Sequence, residues 1–226
     1  MPYQPAYVLL IAVALALVLP EPGRWNPLAL AQVGARALAR DLPKSGPWAI
    51  GAGILLLGLI AAPALVATWA LTSALPVALR LVAPDASPIV ALILAAAVLR
   101  LTFHMPPLWA WVKAAGGESP RGHRCHIVQA LGAEFAAPVM LFALLGIYAP
   151  LVYGIALEVS QSLGKAAESE QIGGPALVAA YVPGYVARRL VLLFATLASG
   201  GRGVESASGA APIAATIAFA LLVTIW

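Results

Sequence analysis

Charged residues are scarce in this chain. Asp, Glu, Lys and Arg together make up 10% of its 226 residues, and 62% of the residues are hydrophobic. A soluble domain has about 25% charged and about 45–50% apolar residues, so this composition cannot cover an apolar core with a polar surface, and it also excludes intrinsic disorder. It predicts an integral membrane protein. The length suits a single membrane domain, residues 1–226, with five or six spans of ~20 residues.

Cysteine and histidine are also scarce. The one cysteine, Cys125, cannot form a disulfide within the chain, and two of the three histidines, His123 and His126, lie beside it. A zinc site normally recruits a second pair of ligands, and only His104 remains. We therefore interpret residues 121–126 as a basic cytoplasmic loop and predict no metal or cofactor. The net charge of +4 fits the cytoplasmic loops of a membrane protein and does not indicate nucleic-acid binding.

Acidic residues within the apolar segments are few, and phosphate-binding glycine loops and paired metal-binding carboxylates are missing. We place Glu134 and Glu158 at helix ends. Arg100 lies near the end of a span, where it either extends to the cytoplasmic interface or contacts an anion. Pumps, ion channels and quinone-redox proteins need more polar groups inside the membrane. The sequence therefore favours a scaffold, or a site confined to loops.

Long apolar runs dominate what remains. Residues 26–40 have the pattern of an amphipathic helix that lies in the membrane interface. The segment 175–198 contains Pro183 and Arg188, so it either ends as a short tilted span at Arg188 or is re-entrant. We predict an all-α polytopic transmembrane bundle with this one interfacial helix. Its candidate spans are residues 5–20, 48–79, 88–103, 135–157, 175–198 and 210–226.

Glycine is concentrated near the start of the second candidate span. Gly51, Gly53 and Gly58 have no side chains that would keep another helix at a distance. Small residues mark helix contacts in membranes, because lipid provides little hydrophobic drive for helices to associate. We therefore predict a helix-packing surface at these glycines, formed with another helix of this chain or with a partner.

The basic residues favour one topology. With six crossings, ten Lys and Arg residues fall in the odd-numbered connections, and two, Arg80 and Lys165, fall in the even-numbered ones. Lys and Arg collect in cytoplasmic loops, so both chain ends are predicted to lie outside the cytoplasm. If residues 175–198 do not cross, the split falls to seven against five, and we therefore prefer six crossings.

Six short motifs occur in succession: LPEPGRWNPL at 19–28, WVKAAGGESPR at 111–121, EFAAP at 134–138, LG at 145–146, LVY at 151–153 and VPGYVARRL at 182–190. In order and approximate spacing, this series resembles the membrane family of the cobalamin-biosynthesis amide synthase CobD/CbiB (adenosylcobinamide-phosphate synthase) and its regulatory relative AmpE. The resemblance covers roughly residues 6–198 and implies that family's membrane fold. The retained motif positions are Pro22, Trp25, Arg121, Glu134, Pro138, Tyr153 and Pro183.

Other positions depart from the family's pattern. The family's histidine after its tryptophan is Asn26 here, and the asparagine after its glutamate is Phe135. The family's aspartate pair is replaced within residues 178–180. The family's last arginine corresponds to Tyr185 in a strict alignment, or to Arg188 with an insertion.

These departures bear on activity. Joining a corrinoid carboxylate to an amine with ATP needs groups that bind phosphate and stabilise charge. Because such groups are the ones replaced, we expect a non-catalytic accessory or structural subunit, or a modulator, of a membrane protein complex. Its expected partners are membrane lipids and other membrane protein subunits, and its expected location is the bacterial cytoplasmic membrane. The alternative is a divergent adenosylcobinamide-phosphate synthase, and a small transporter is least favoured.

Overall fold

The computed structural model describes residues 5–18, 28–43, 45–103, 131–163 and 170–198. Within these ranges every regular element is helical and none is a strand, which confirms the all-α prediction for this part of the chain. The predicted span at 210–226 lies outside the described residues. The helices are α1 (Pro5–Val18), α2 (Ala29–Leu38), α3 (Pro47–Trp69), α4 (Leu75–Arg80), α5 (Ser87–Thr102), α6 (Ala137–Leu145), α7 (Tyr148–Leu163) and α8 (Glu170–Ala198), with π-helical turns at Ala70–Ala74 and Gly132–Ala136.

Within the described residues, two helices are long and apolar enough to cross a membrane. The first is the continuous run Pro47–Arg80, whose 34 residues join α3 to α4. The second is Gln171–Phe194 within α8, with 24 residues. Both exceed the ~20 residues that a crossing requires. The predicted spans 5–20 and 88–103 correspond to the shorter apolar helices α1 and α5.

A proline follows each of the two π turns. The turn Ala70–Ala74 precedes Pro76, and the turn Gly132–Ala136 precedes Pro138. Proline has no N–H to offer the preceding helical turn, and its ring crowds the carbonyl four residues earlier. The turn before it widens as a result, and the helix continues on both sides.

Residues 135–157, predicted as one span, do not form one continuous helix. α6 ends at Leu145, and Gly146 adopts a φ of +79°, a left-handed conformation that favours glycine. The N–H of Gly146 still bonds the carbonyl of Phe142 (N···O 2.9 Å), and the chain resumes as α7 at Tyr148. The break was hidden because the apolar run continues on both sides of the glycine.

The predicted fifth segment lies in one continuous helix. α8 has 29 residues and contains both Pro175 and Pro183 without interruption. It packs against α3, α7 and the turn Gly132–Ala136. Neighbouring helices can support a membrane helix through its proline positions in this way.

Three groups of buried side chains hold the described helices together. The first joins α1, α5 and the segment leading into α6, where the ring centroids of Phe103 and Phe135 lie 5.1 Å apart. The second joins α2, α3, α7 and α8, and the third joins α6, α7 and α8. The second and third groups are rich in alanine. Small side chains let helix backbones approach closely, which is how helices associate in lipid.

Candidate functional site

The retained motif positions that the structure describes fall on elements that meet. Glu134 lies in the π turn Gly132–Ala136, and Pro138 follows it in α6. Tyr153 lies in α7 and Pro183 in α8. α8 contacts all of these elements, so positions far apart in sequence share one junction. The remaining motif positions, Pro22, Trp25 and Arg121, lie outside the described residues.

Tyr153 joins the elements of this junction through its hydroxyl. The hydroxyl donates a hydrogen bond to the backbone carbonyl of Ala133 (2.7 Å). That carbonyl lacks its usual helical donors, because the N–H of Ala137 bonds Gly132 and Pro138 has no N–H. The tyrosine hydroxyl therefore replaces the N–H donor that the proline-induced turn removes. A buried backbone carbonyl needs such a hydrogen-bond partner.

Arg188 enters the same junction from α8. A Cβ on Gly132 would lie 2.6 Å from the Cγ and 2.8 Å from the Cα of Arg188, so glycine is required for this approach. A Cβ on Gly184 would lie 3.1 Å from the Tyr153 hydroxyl. Neither glycine is singled out by the sequence pattern, although Gly184 follows the motif residue Pro183 and Gly132 lies two residues before Glu134.

One acidic and one basic side chain, Glu134 and Arg188, lie near enough to the Tyr153 hydroxyl to influence it electrostatically. The Nε of Arg188 is buried and has no hydrogen-bond partner within the part of the chain described. A phenol, a carboxylate and a guanidinium can hold a polar group by hydrogen bonds and charge. No group of three His, Cys, Asp or Glu side chains in the described ranges is placed to hold a metal ion.

Sequence analysis also missed a polar contact between α2 and α7. The Nε2 amide of Gln32 donates a hydrogen bond to the Oε2 atom of Glu158, which is buried. The prediction that Glu158 lies at a helix end is wrong, because α7 continues to Leu163. The signal for this was the spacing of Ile155 and Val159, which keeps one apolar face in register past the glutamate.

Arg100 turns inward as well. It is 5% exposed, and its Nη1 donates to the carbonyl of Phe103 (3.3 Å), immediately after the end of α5. A cation at a helix C-terminus pairs with carbonyls that have no helical donor. The predicted extension of Arg100 to the surface is therefore wrong, and the guanidinium closes the end of its own helix.

The three glycines of the predicted packing surface lie on two faces of α3. Gly53 is buried, and a Cβ there would overlap the carbonyl oxygen of Ile172 and lie 3.1 Å from the Cδ of Pro175. Gly51 and Gly58 are exposed, and a Cβ on either has nothing within 4 Å in the described structure. Packing inside the chain is therefore observed at Gly53, while Gly51 and Gly58 face outward.

No family model, curated protein or solved structure matches this chain. The resemblance to the CobD/AmpE family therefore rests on the short sequence motifs alone.

Proposed function

We propose that this chain is a non-catalytic, CobD/AmpE-like integral membrane protein that serves as an accessory or structural subunit, or a modulator, of a membrane protein complex. The observation that carries the proposal is the outward face of α3. Gly51 and Gly58 are seven residues apart, and so lie on one side of the helix, and both are exposed. At each of these exposed glycines a helix of another subunit would meet no side chain and could approach closely, as helices do at small residues in membranes.

Three buried hydroxyl groups in the described residues donate hydrogen bonds to the backbone of this chain. Ser87 donates from its Oγ to the carbonyl of Pro76, and Thr102 donates from its Oγ1 to the carbonyl of Leu99, both at 2.7 Å. Ser160 bonds a carbonyl three residues earlier in the same manner. Such bonds satisfy hydroxyl groups in apolar surroundings. They support a scaffold over a transporter, which would need polar groups lining a path.

We extend the proposal to a bundle of six crossings with both chain ends outside the cytoplasm. Besides the split of basic residues, the continuous helix α8 supports it, because this helix occupies the whole of the sequence from Glu170 to Ala198, between the probe positions 169 and 202. Labelling of single cysteines from each side of the membrane, in a Cys125-free protein, tests this topology. For the turn that precedes α5, the probe is the exposed position 85, because Ser87 is buried. Arg36, Arg121 and Arg202 are expected inside, and Asp85, Ser169 and Trp226 outside.

Labelling of positions 169 and 202 from the same side would contradict the six-crossing arrangement. It would place both ends of α8 on one face of the membrane. A protein treated in parallel after the membrane is permeabilised should label at every exposed position, which controls for reactivity.

Gly58→Leu tests the outward face of α3. In a partner groove, the added side chain overlaps the neighbouring helix, so copurification of partner subunits in mild detergent should be lost. The isolated chain should melt as before, since surface changes without a special role cost within about 0.5 kcal/mol. Ala78→Leu, an exposed change on α4, is the matched control. If Gly58→Leu recovers its partners as the control does, this face contacts lipid alone.

One observation favours the alternative, a divergent adenosylcobinamide-phosphate synthase. Glu134, Tyr153 and Arg188 lie in one junction, and Arg188 matches the family's arginine if one insertion is allowed. The Nε of Arg188, buried without a partner in the described residues, supports this alternative, because it remains able to bind an acceptor oxygen.

Glu134→Gln separates the two functions. As a subunit, the protein should assemble and melt nearly unchanged, because the amide keeps the size of the carboxyl group. As an enzyme, it should lose corrinoid- and ATP-dependent amide formation while it folds normally. Asp85→Asn, which also removes one negative charge but at an exposed turn, is the control. Selective loss of that activity in Glu134→Gln would overturn the non-catalytic proposal.

A further inference from the structure

An apolar cavity of about 510 Å³ lies between α2, α3, α5 and α7. None of the side chains that line it is charged, and Thr68 provides the one hydroxyl group of the lining. The volume falls within the range of about 300–1,000 Å³ that is typical of ligand pockets. The cavity lies apart from the junction of Glu134, Tyr153 and Arg188, none of which lines it.

Small side chains create this cavity. Ala31 and Gly34 of α2 face Ala64 and Ala67 of α3, so neither helix fills the space between them. Pro63 and the π turn that contains Leu71 also lie along the α3 wall, and the π turn departs from regular α geometry.

The cavity opens to the side of the molecule. Leu30 is 70% exposed and Leu71 is 41% exposed, and both belong to the lining. On the opposite walls, Val98 and Ile155 are buried. A molecule can therefore enter laterally between α2 and α3 and reach side chains that the surrounding solvent does not touch.

The position of the opening indicates what surrounds it. The α3 wall runs from Ile60 to Leu71, in the middle of the apolar helical run Pro47–Arg80. If that run crosses the membrane, this wall lies at the depth of the lipid hydrocarbon. Leu59 and Val66, on the same stretch of helix, are more than half exposed, so lipid chains lie beside the opening.

We infer that this cavity binds one acyl chain of a membrane phospholipid, which enters from the side between α2 and α3. The inference rests on the membrane location in the proposed function. An acyl chain provides the dispersion contacts that side chains around a void would otherwise lose. Water is excluded because apolar cavities stay dry, and such cavities bind apolar ligands.

Photolabelling with a phosphatidylcholine that carries a diazirine in one acyl chain tests this inference. The full chain is reconstituted in phosphatidylcholine vesicles, and labelled residues are mapped by mass spectrometry. Labels should appear on the buried residues Val98 and Ile155 and should saturate as the probe fraction rises. Labels on exposed Leu59 report bulk lipid and should increase in proportion to the probe.

Filling the cavity gives a second measurement. Ala64→Phe combined with Ala67→Phe should reduce labelling of Val98 about tenfold, because the two rings occupy the lining on the α3 side. Ala62→Phe, on the exposed side of the same helix and outside the lining, should leave it unchanged. If the filled variant fails to fold, saturable labelling of Val98 and Ile155 in the parent protein is by itself sufficient to test whether the cavity binds an acyl chain.

Labels confined to exposed residues, or equal labelling of Val98 in the filled and control variants, would overturn the inference. Alkaline carbonate extraction of native membranes tests the membrane location separately. Release of the protein by carbonate contradicts the proposed function, whereas a protein that is retained but unlabelled at Val98 contradicts this inference alone.

Discussion

Gly53→Ala should destabilise the protein, whereas Gly51→Ala should not. A methyl group at position 53 overlaps the carbonyl oxygen of Ile172, which belongs to the backbone of α8 and cannot rotate away. The helices must separate, and overpacking of this kind typically costs about 1–3 kcal/mol. At Gly51 the methyl group meets no atom within 4 Å in the described structure, and alanine favours a helix over glycine by roughly 0.5–1 kcal/mol.

Thermal unfolding in detergent measures both variants. For a chain of this size, each kcal/mol corresponds to roughly 2–4 °C in Tm, so Gly53→Ala should melt several degrees lower and Gly51→Ala slightly higher than the parent. The two sites are two residues apart on one helix, so helix propensity and detergent effects are matched. A Gly53→Ala protein that melts like Gly51→Ala would mean that α3 and α8 do not pack closely at Ile172.

The sequence predicts these glycines as a packing surface but not which of them packs. Small residues signal close helix contacts, and that signal is the same on every face of an apolar helix. In a soluble helix, polar residues mark the outward face. On α3 the outward face is also apolar, with Ile54 and Leu59 exposed, so the direction of Gly53 follows from tertiary packing alone.

Some helix boundaries can also be predicted from the sequence, and others cannot. The ends of α1, of α5 and of the continuous run Pro47–Arg80 lie close to the ends of the predicted spans, because charge, proline or turn residues follow these apolar runs. The break at Gly146 has no polar residues beside it, and the sequence alone does not distinguish a helical glycine from one with positive φ. The junction of Glu134 and Tyr153 was predicted only as a set of motif positions, because their proximity depends on how α8 crosses α7.

Removal of the amide of Gln32 should also destabilise the protein. Glu158 is buried, and Gln32 donates a hydrogen bond to its carboxylate from a different helix. A hydrogen bond to a charged group contributes about 1.5–3 kcal/mol, and its loss leaves the buried carboxylate with one donor fewer. Gln32→Leu should therefore lower the free energy of unfolding by about that amount. Gln171→Leu, which removes an exposed bond to the backbone N–H of Gly46, should cost within about 0.5 kcal/mol.

A double-mutant cycle isolates the contact between these two side chains. Glu158→Leu alone leaves the amide of Gln32 without this acceptor, and it should be destabilising for the same reason as Gln32→Leu. When both residues become leucine, the hydrogen bond is lost together with both of its polar partners, so neither is left without the other. Replacing a buried polar pair by apolar residues is often nearly neutral or stabilising.

The double variant should therefore lose less free energy of unfolding than the sum of the two single changes, with a coupling energy of about 0.5–3 kcal/mol. Strictly additive losses would show that Gln32 and Glu158 contribute separately, and that α2 is held on α7 by its alanine face alone.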